Sequence, residues 1–198
     1  MKRIYDISQE VFGCEVYFGD PRPERQQIFS MEKGDLYNLT SFSMCAHNGT
    51  HVDAPYHFYQ DGKTVEAISL DRTVGLCSVV SAKGNISRRD AEEILKKARS
   101  AGEEASKKIL IKGDAVVSLQ AAEVFAAARL DLLGNESQSV GPEHSPMAVH
   151  LALLGARTVL LEGIRLGGVE DGVYFLSAAP LSLAGADGSP CRAYLMEI

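Results

Sequence analysis

The sequence contains no tryptophan and only four cysteines among 198 residues, and the cysteines form no C-x-x-C pair. The N-terminal stretch MKRIYDISQE also lacks the apolar core of a secretory signal. Scattered cysteines in such a chain predict reduced thiols and a cytoplasmic location rather than a disulfide framework. We interpret Cys14, Cys77 and Cys191 as packing residues. Cys45 is interpreted in the same way but is set apart, because it lies two residues before His47.

Long apolar runs and long basic runs are absent as well. No run reaches the 18 or so apolar residues that a membrane span needs. The formal net charge is -6 and no basic stripe is visible, which argues against a nucleic-acid partner. The hydrophobic fraction of 45% suits one domain over residues 1–198 with a sizeable buried core. The expected partner is therefore a small-molecule substrate.

Strands and helices are both predicted, in an order that is not a regular βαβ alternation. Apolar runs rich in β-branched residues predict strands at Arg3–Ile7, Thr73–Ser81, Lys108–Ile111, Thr158–Leu161, Val173–Ser177 and Arg192–Glu197. Helical patterns cover Ala91–Arg99, Gln120–Arg129 and Pro146–Leu154. A capping box at Ser87–Asp90 precedes the first helix. We therefore predict a single α/β domain with a mixed sheet.

One segment fits neither periodicity and carries three of the five histidines. It reads His47-Asn-Gly-Thr-His51-Val-Asp53-Ala-Pro-Tyr-His57, within a stretch predicted to be a shaped loop or an irregular strand. In extended backbone, His51 and Asp53 would share a face. Gly49 allows the chain to bend so that His47 can lie beside them.

Imidazole and carboxylate groups in this density predict a site for Zn²⁺ or Mn²⁺. Three ligands from one short loop leave positions open for water and substrate, as a catalytic metal needs. Further ligands could come from His150, within a predicted helix, and from Glu162, at the end of a predicted strand. Taken alone, Glu162 could equally be a strand-end residue that reaches solvent.

The stretch Ala46-His-Asn-Gly-Thr-His-Val-Asp-Ala-Pro-Tyr-His-Phe58 resembles the signature of the cyclase family of metal-dependent hydrolases. The best-known members are the bacterial kynurenine formamidases, and the isatin hydrolases belong to the same superfamily. The resemblance covers nearly the whole chain, and the segments that carry it are Tyr5-Asp-Ile-Ser8, Gly19-Asp20, Asp61-Gly62, Ala179-Pro-Leu181 and Gly185-Ala-Asp-Gly-Ser-Pro-Cys-Arg192.

The resemblance implies a swivelling β/β/α-like fold, a homodimer or homotetramer, and two divalent metal ions, zinc first and manganese as the alternative. His47, His51 and Asp53 would hold the first ion, with Asp53 shared between both. His150 would hold the second ion, and Glu162 would bridge the two.

Two further roles follow from the resemblance. His57 would be the proton-transfer residue rather than a ligand. Tyr17, immediately before Phe18-Gly-Asp20, would line the substrate pocket.

The resemblance implies amide hydrolysis, on a carbon–nitrogen bond other than a peptide bond, and these residue types suit that chemistry. A divalent metal lowers the pKa of bound water from about 16 to near 7, which supplies hydroxide. Imidazole, with an ordinary pKa of about 6.5, suits proton transfer to the leaving amine. No Gly-x-Ser-x-Gly elbow supports a serine-hydrolase route.

Arylformamidase activity on N-formyl-kynurenine is the leading hypothesis, but three departures bear on the substrate. The formamidases usually carry Trp-Pro where this chain has Tyr17-Phe18. The loop after Ile111 is shorter than their pattern, and Gly134-Asn-Glu136 stands where they tend to have an aspartate. A cyclic amide such as isatin, or another small acyl compound, is therefore the alternative substrate. A non-catalytic metal-binding or small-molecule-binding protein is the alternative from another class.

Overall fold

A computed structural model describes residues 2–198. The helices are α1 (Arg88–Ala101), α2 (Leu119–Ala128) and α3 (Met147–Gly155). The strands are β1 (Ile4–Asp6), β2 (Glu24–Phe29), β3 (Leu39–Ser43), β4 (His51–Asp53), β5 (Val74–Ser81), β6 (Gly84–Ile86), β7 (Lys108–Lys112), β8 (Ala115–Val117), β9 (Leu132–Asn135), β10 (Val159–Glu162), β11 (Gly172–Ser177), β12 (Gly188–Pro190) and β13 (Tyr194–Met196). Short 3₁₀ turns lie between these elements, one of them at Pro55–His57.

Nine strands form one large mixed sheet in the order β1-β13-β11-β5-β7-β9-β10-β4-β12. Its centre, β5-β7-β9-β10, is parallel, and antiparallel strands extend it on both sides. The prediction of a single α/β domain with a mixed sheet is confirmed. The short strand β4 lies between β10 and β12, and this position decides where the histidine segment sits.

The two faces of the sheet pack against different layers. Alternation along β7 directs Ile109 and Ile111 toward the three helices, while Leu110 faces the opposite side. The same alternation separates Leu160 from Leu161 in β10. Because the central strands are covered on both faces, they are almost continuously apolar, as parallel strands usually are.

The predicted helices and strands correspond to elements of the structure. The capping box is formed, because the Ser87 hydroxyl accepts from the Asp90 amide while the Asp90 carboxylate accepts from the Ser87 amide. Pro146 is the residue before α3 rather than within its first turn. For the histidine segment, the sequence predicted either a shaped loop or an irregular strand. Both are present, since the three-residue strand β4 is flanked by turns.

The paired strands β2 and β3 form a hairpin that is separate from the large sheet. We call residues 21–43 the arm. Every strand residue of the arm is exposed, although it carries large apolar side chains. These are Ile28, Phe29, Met31, Leu36, Tyr37, Leu39 and Phe42. The arm leads directly into the histidine segment.

Among residues 2–198, none of the helices combines the length and apolar character that crossing a bilayer requires.

Candidate metal centre

The strand β4 brings His51 and Asp53 to one face, as alternation along an extended chain requires. The Nε2 atom of His51 lies 3.3 Å from Oδ1 of Asp53. His51 is held by its other nitrogen, which donates to the Gly49 carbonyl at 2.9 Å. Gly49 has a φ of 62°, and a Cβ there would lie 2.8 Å from Cβ of Cys14. A side chain at position 49 would therefore disturb the turn that places both ligands.

A second carboxylate faces the first from the neighbouring strand. In the antiparallel pairing of β4 with β10, Glu162 stands directly opposite His51. The Nε2 atom of His51 is 3.3 Å from Oε2 of Glu162, so His51 contacts both carboxylates. Asp53 and Glu162 are almost completely buried, with 0% and 2% exposure.

The helix α3 supplies another histidine on the far side of these carboxylates. Nδ1 of His150 donates to the Pro146 carbonyl at 2.9 Å, which turns Nε2 toward the cluster. That nitrogen lies 3.3 Å from Oε1 of Glu162 and 3.7 Å from Oδ2 of Asp53. Glu162 thus presents one oxygen to His51 and the other to His150.

His47 lies at the edge of the buried carboxylates, with a side chain that is 13% exposed, and links the cluster to a residue from the C-terminal region. Its Nδ1 lies 2.8 Å from Oδ1 of Asp53, and its Nε2 lies 2.9 Å from Oδ2 of Asp187. Gly188 lies so close that a Cβ there would be 2.6 Å from Cε1 of His47. The ring is therefore fixed by a carboxylate at each nitrogen and by backbone on one side.

The pKa values of these groups follow from their contacts. Burial lowers the pKa of His47, but the hydrogen bonds to Asp187 and Asp53 outweigh it and raise the value to about 11. In the same way Asp53 and Glu162 raise the pKa of His51 to about 9 against the effect of burial.

Burial also lowers the pKa of His150, but Glu162 and Asp53 raise it overall to about 9. Burial opposes ionisation of both carboxylates, and Asp53 also raises the pKa of Glu162. The histidines nevertheless hold the pKa of each carboxyl below its ordinary range.

The donor set fits a divalent metal ion. Oδ2 of Asp53 is fully buried and has no hydrogen-bond partner, although a buried carboxylate oxygen is costly to leave unpaired. His51, Asp53 and Glu162 bring ligand atoms within 4.8 Å of one another, as do His47, Asp53 and His57. Imidazole nitrogen with carboxylate oxygen is the ligand chemistry of zinc and manganese sites.

The arrangement offers two donor groups that share both carboxylates. One group contains His47, His51, Oδ1 of Asp53 and Oε2 of Glu162. The other contains His150, Oε1 of Glu162 and the unpartnered oxygen of Asp53. The five residues predicted as ligands therefore lie together, and their separation into two groups is what bridging carboxylates require.

His57 lies at the open side of the cluster. Its ring packs 4.0 Å from that of His47, and its Nδ1 lies 3.1 Å from the same Asp187 oxygen that His47 contacts. The side chain is 27% exposed, whereas those of His51 and His150 are at most 4% exposed. This accessibility suits the predicted proton carrier, although the distances also admit His57 as a ligand.

Tyr17 is half-buried, and its hydroxyl donates to the carbonyl of Glu143, in the loop before α3. Burial raises the Tyr17 pKa, and the carboxylates of Glu143, Asp20 and Glu162 add to this rise. Tyr17 therefore contacts the loop that leads into α3, the helix that carries His150, and its role as the wall of a substrate pocket stays a prediction.

Cys45 is directed elsewhere, with its sulfur 3.8 Å from a carboxylate oxygen of Asp20. All four cysteines are free thiols, as predicted. Asp187 received no role from the sequence. Its only signal was its place in the segment 185–192, which carries part of the family resemblance.

Comparison with known proteins bears on the family and the fold of this chain. The family described as "Putative cyclase" matches residues 5–150. "Kynurenine formamidase" of Erythrobacter litoralis (strain HTCC2594) is 30% identical, covering 100% of this chain and 95% of that protein. This chain belongs to the cyclase family.

Two solved structures have the same architecture. "The Structure Of Potential Metal-Dependent Hydrolase With Cyclase Activity" has a TM-score of 0.83 and 27% identity, covering 100% of this chain and 99% of the other. Isatin hydrolase A from Labrenzia aggregata, bound to benzyl benzoate, has a TM-score of 0.81 and 19% identity, with coverages of 98% and 93%. The second comparison shows the fold alone.

We predict that metal binding releases protons and tightens as pH rises from 7 to 9. In the metal-free chain the pKa values of His47, His51 and His150 are raised to about 11, 9 and 9. At pH 7 these rings are protonated, so an incoming metal must displace protons. As pH rises through 9, His51 and His150 lose their protons and that cost falls. Calorimetric zinc titration in buffers of different ionisation enthalpy measures the released protons; affinity that does not change with pH would contradict these pKa values.

Proposed function

We propose that this protein is a metal-dependent hydrolase of carbon–nitrogen bonds, and that its substrate is an aryl formamide, with N-formyl-kynurenine the leading candidate. The observation that carries the proposal is a cluster of two buried carboxylates, two buried histidines and the partly exposed His47, with the more exposed His57 at its open side. The 30% identity to a kynurenine formamidase over the whole chain supports the choice of substrate.

The residues that would hold the ions are His47, His51, Asp53, His150 and Glu162, with zinc as the proposed metal. A divalent ion, when bound, supplies Lewis acidity toward water and toward a carbonyl oxygen. The protein keeps the ligands rigid, since each histidine ring is fixed by a second hydrogen bond.

Hydrolysis of a formamide adds water to the formyl carbon, breaks the carbon–nitrogen bond, and yields formate and an amine. The amine leaves readily only when its nitrogen gains a proton. We assign that proton transfer to His57, which is the most exposed of the clustered histidines. General acid–base catalysis of this kind contributes roughly 10²–10⁴-fold to the rate.

Two alternatives differ in substrate or in class. A lactam such as isatin is favoured by Tyr17-Phe18, because a different wall next to the site selects a different ring. A non-catalytic metal-binding protein would have no use for a partly exposed histidine beside a complete ligand set.

The proposed function predicts a preference among substrates. Zinc-loaded or manganese-loaded protein should hydrolyse N-formyl-kynurenine faster than isatin and related lactams, as measured by absorbance of substrate and product. Hydrolysis of lactams alone would replace the formamide assignment. Inactivity toward amides, esters and lactones, despite stoichiometric metal, would favour the binding protein.

Alanine substitutions should distinguish the metal ligands from the proton carrier. His51→Ala should strip the metal, and Glu162→Ala should lose at least one of two ions, because few ligands hold each ion. His57→Ala should retain metal near the wild-type amount while kcat falls by roughly 10²–10⁴-fold. Elemental analysis and steady-state kinetics measure both quantities, with the exposed His144→Ala as a matched control. Loss of metal from His57→Ala as complete as from His51→Ala would make His57 a ligand.

We also propose that the protein is a homodimer or homotetramer in which a second copy covers the arm. An isolated two-stranded hairpin has little stability of its own in water. The exposed apolar side chains of the arm amount to on the order of 700 Å², close to the contribution of one partner to a stable interface. The arm carries three basic and three acidic residues, Arg22, Arg25, Lys33, Glu24, Glu32 and Asp35. Balanced charge suits a surface that pairs with a copy of itself.

Light scattering should therefore give a multiple of the 21.4 kDa chain mass. Leu36→Asp, at the 93% exposed tip of the arm, should shift the protein toward the single-chain mass without loss of helical signal. Leu70→Asp, at an exposed leucine outside the arm, is the control and should leave the mass unchanged. A wild-type mass of one chain would refute the proposal.

A further inference from the structure

Asp187 contacts two histidines of the cluster from its open side. A single oxygen, Oδ2, lies 2.9 Å from Nε2 of His47 and 3.1 Å from Nδ1 of His57. The side chain is 41% exposed, whereas that of Asp53 is 1% exposed. Asp187 therefore lies outside the buried carboxylate pair and next to the route by which a substrate would reach it.

The backbone around Asp187 is held by the strand that carries the ligands. The Asp187 carbonyl accepts from the Ala54 amide at 2.9 Å, and Gly188 pairs with Asp53 in the sheet. The absence of a side chain at Gly188 lets His47 lie against this backbone. The position of the carboxylate is thus set by β4 itself.

The chemistry of the contact decides which nitrogens carry hydrogen. An ionised carboxylate only accepts hydrogen bonds, so both imidazole nitrogens facing Asp187 must be N–H. When His47 holds a metal ion in place of its second proton, this would leave Nδ1, the nitrogen on the side of Asp53, as the ligating atom. In His57 it leaves Nε2 as the nitrogen able to accept and return a proton.

We infer that Asp187 is a positioning residue that orients a metal ligand, His47, and the proton carrier, His57, through one shared oxygen. The inference rests on the proposed function for the role of His57, whereas its contact with His47 concerns metal binding alone. A carboxylate behind a ligating histidine fixes the ring and its tautomer, and its loss typically costs 10–100-fold in affinity or activity. Here one carboxylate would act on both metal binding, through His47, and proton transfer, through His57.

Kinetics of a double-mutant cycle test the coupling to His57. At saturating zinc, Asp187→Ala should lower kcat by roughly 10–100-fold with KM nearly unchanged. In the His57→Ala background the same substitution should change kcat by less than about 3-fold, because the group through which it acts is gone. Asp187→Asn, which keeps a neutral acceptor, should lie between Asp187→Ala and wild type. Effects of Asp187→Ala and His57→Ala that multiply would show independent action and overturn the inference.

Two measurements do not depend on turnover. Zinc affinity, from competition with a chromophoric chelator, should fall about 10-fold in Asp187→Ala, with or without His57. Nitrogen NMR of zinc-loaded, histidine-labelled protein should show His57 as the Nδ1–H tautomer in wild type, and this signature should be lost in Asp187→Ala. Asp114→Ala, which removes an exposed aspartate outside the site, is the control for charge.

These outcomes separate failure of the inference from failure of the proposed function. Unchanged zinc affinity in Asp187→Ala, or an Nε2–H tautomer for His57 in wild type, would overturn the role of Asp187 even in an active enzyme. A wild-type protein without hydrolase activity, but with the predicted tautomer and a metal affinity that depends on Asp187, would instead refute the function and leave the positioning contact intact.

Discussion

The burial of two neighbouring carboxylates, Asp53 and Glu162, determines which other groups the site must contain. Removing one ionised group from water costs several kcal/mol, and two neighbours of like charge add repulsion. Asp53 and Glu162 nevertheless ionise readily, because three histidine rings surround them. The histidines are in turn fixed at their far nitrogens by backbone carbonyls and by Asp187.

Only a short stretch of backbone, the strand β4, positions His51 and Asp53 in the sheet. The strand β4 has three residues, of which two belong to the cluster, and it is hydrogen-bonded on both edges. Since side chains alternate along a strand, a shift of pairing by one residue would turn His51 and Asp53 away from Glu162. Pairing with β10 and β12 makes that register specific.

The central strands and the helices could be predicted from the sequence because their signals are local. Apolar runs rich in β-branched residues identified β5, β7 and β10, and a capping box identified the start of α1. The strands that were missed are short, as in β12, or polar and exposed, as in β2. They exist through pairing with distant segments, which a local pattern does not reveal.

In the site, too, residues with a local sequence signal could be predicted, whereas relations between distant segments could not be predicted from local patterns. The segment from His47 to His57 is dense in ligand-type side chains, so residue types alone pointed to a metal. The order of the sheet determines that Glu162 faces His51, and the C-terminal strands determine that Asp187 reaches two histidines. Family resemblance supplied the first of these relations, whereas the second became visible only in three dimensions.

The residues of the cluster are widely separated along the chain, and this has a consequence for synthesis. Three histidines and Asp53 lie in the first third of the chain, while His150 and Glu162 lie in the last third and Asp187 lies eleven residues from the end. Because β4 pairs with the later strands β10 and β12, the centre cannot form during synthesis before the residues through Pro190 have been made. The donor set for a metal ion would therefore be complete only after the segments that carry His150 and Glu162 have been made and have joined β4.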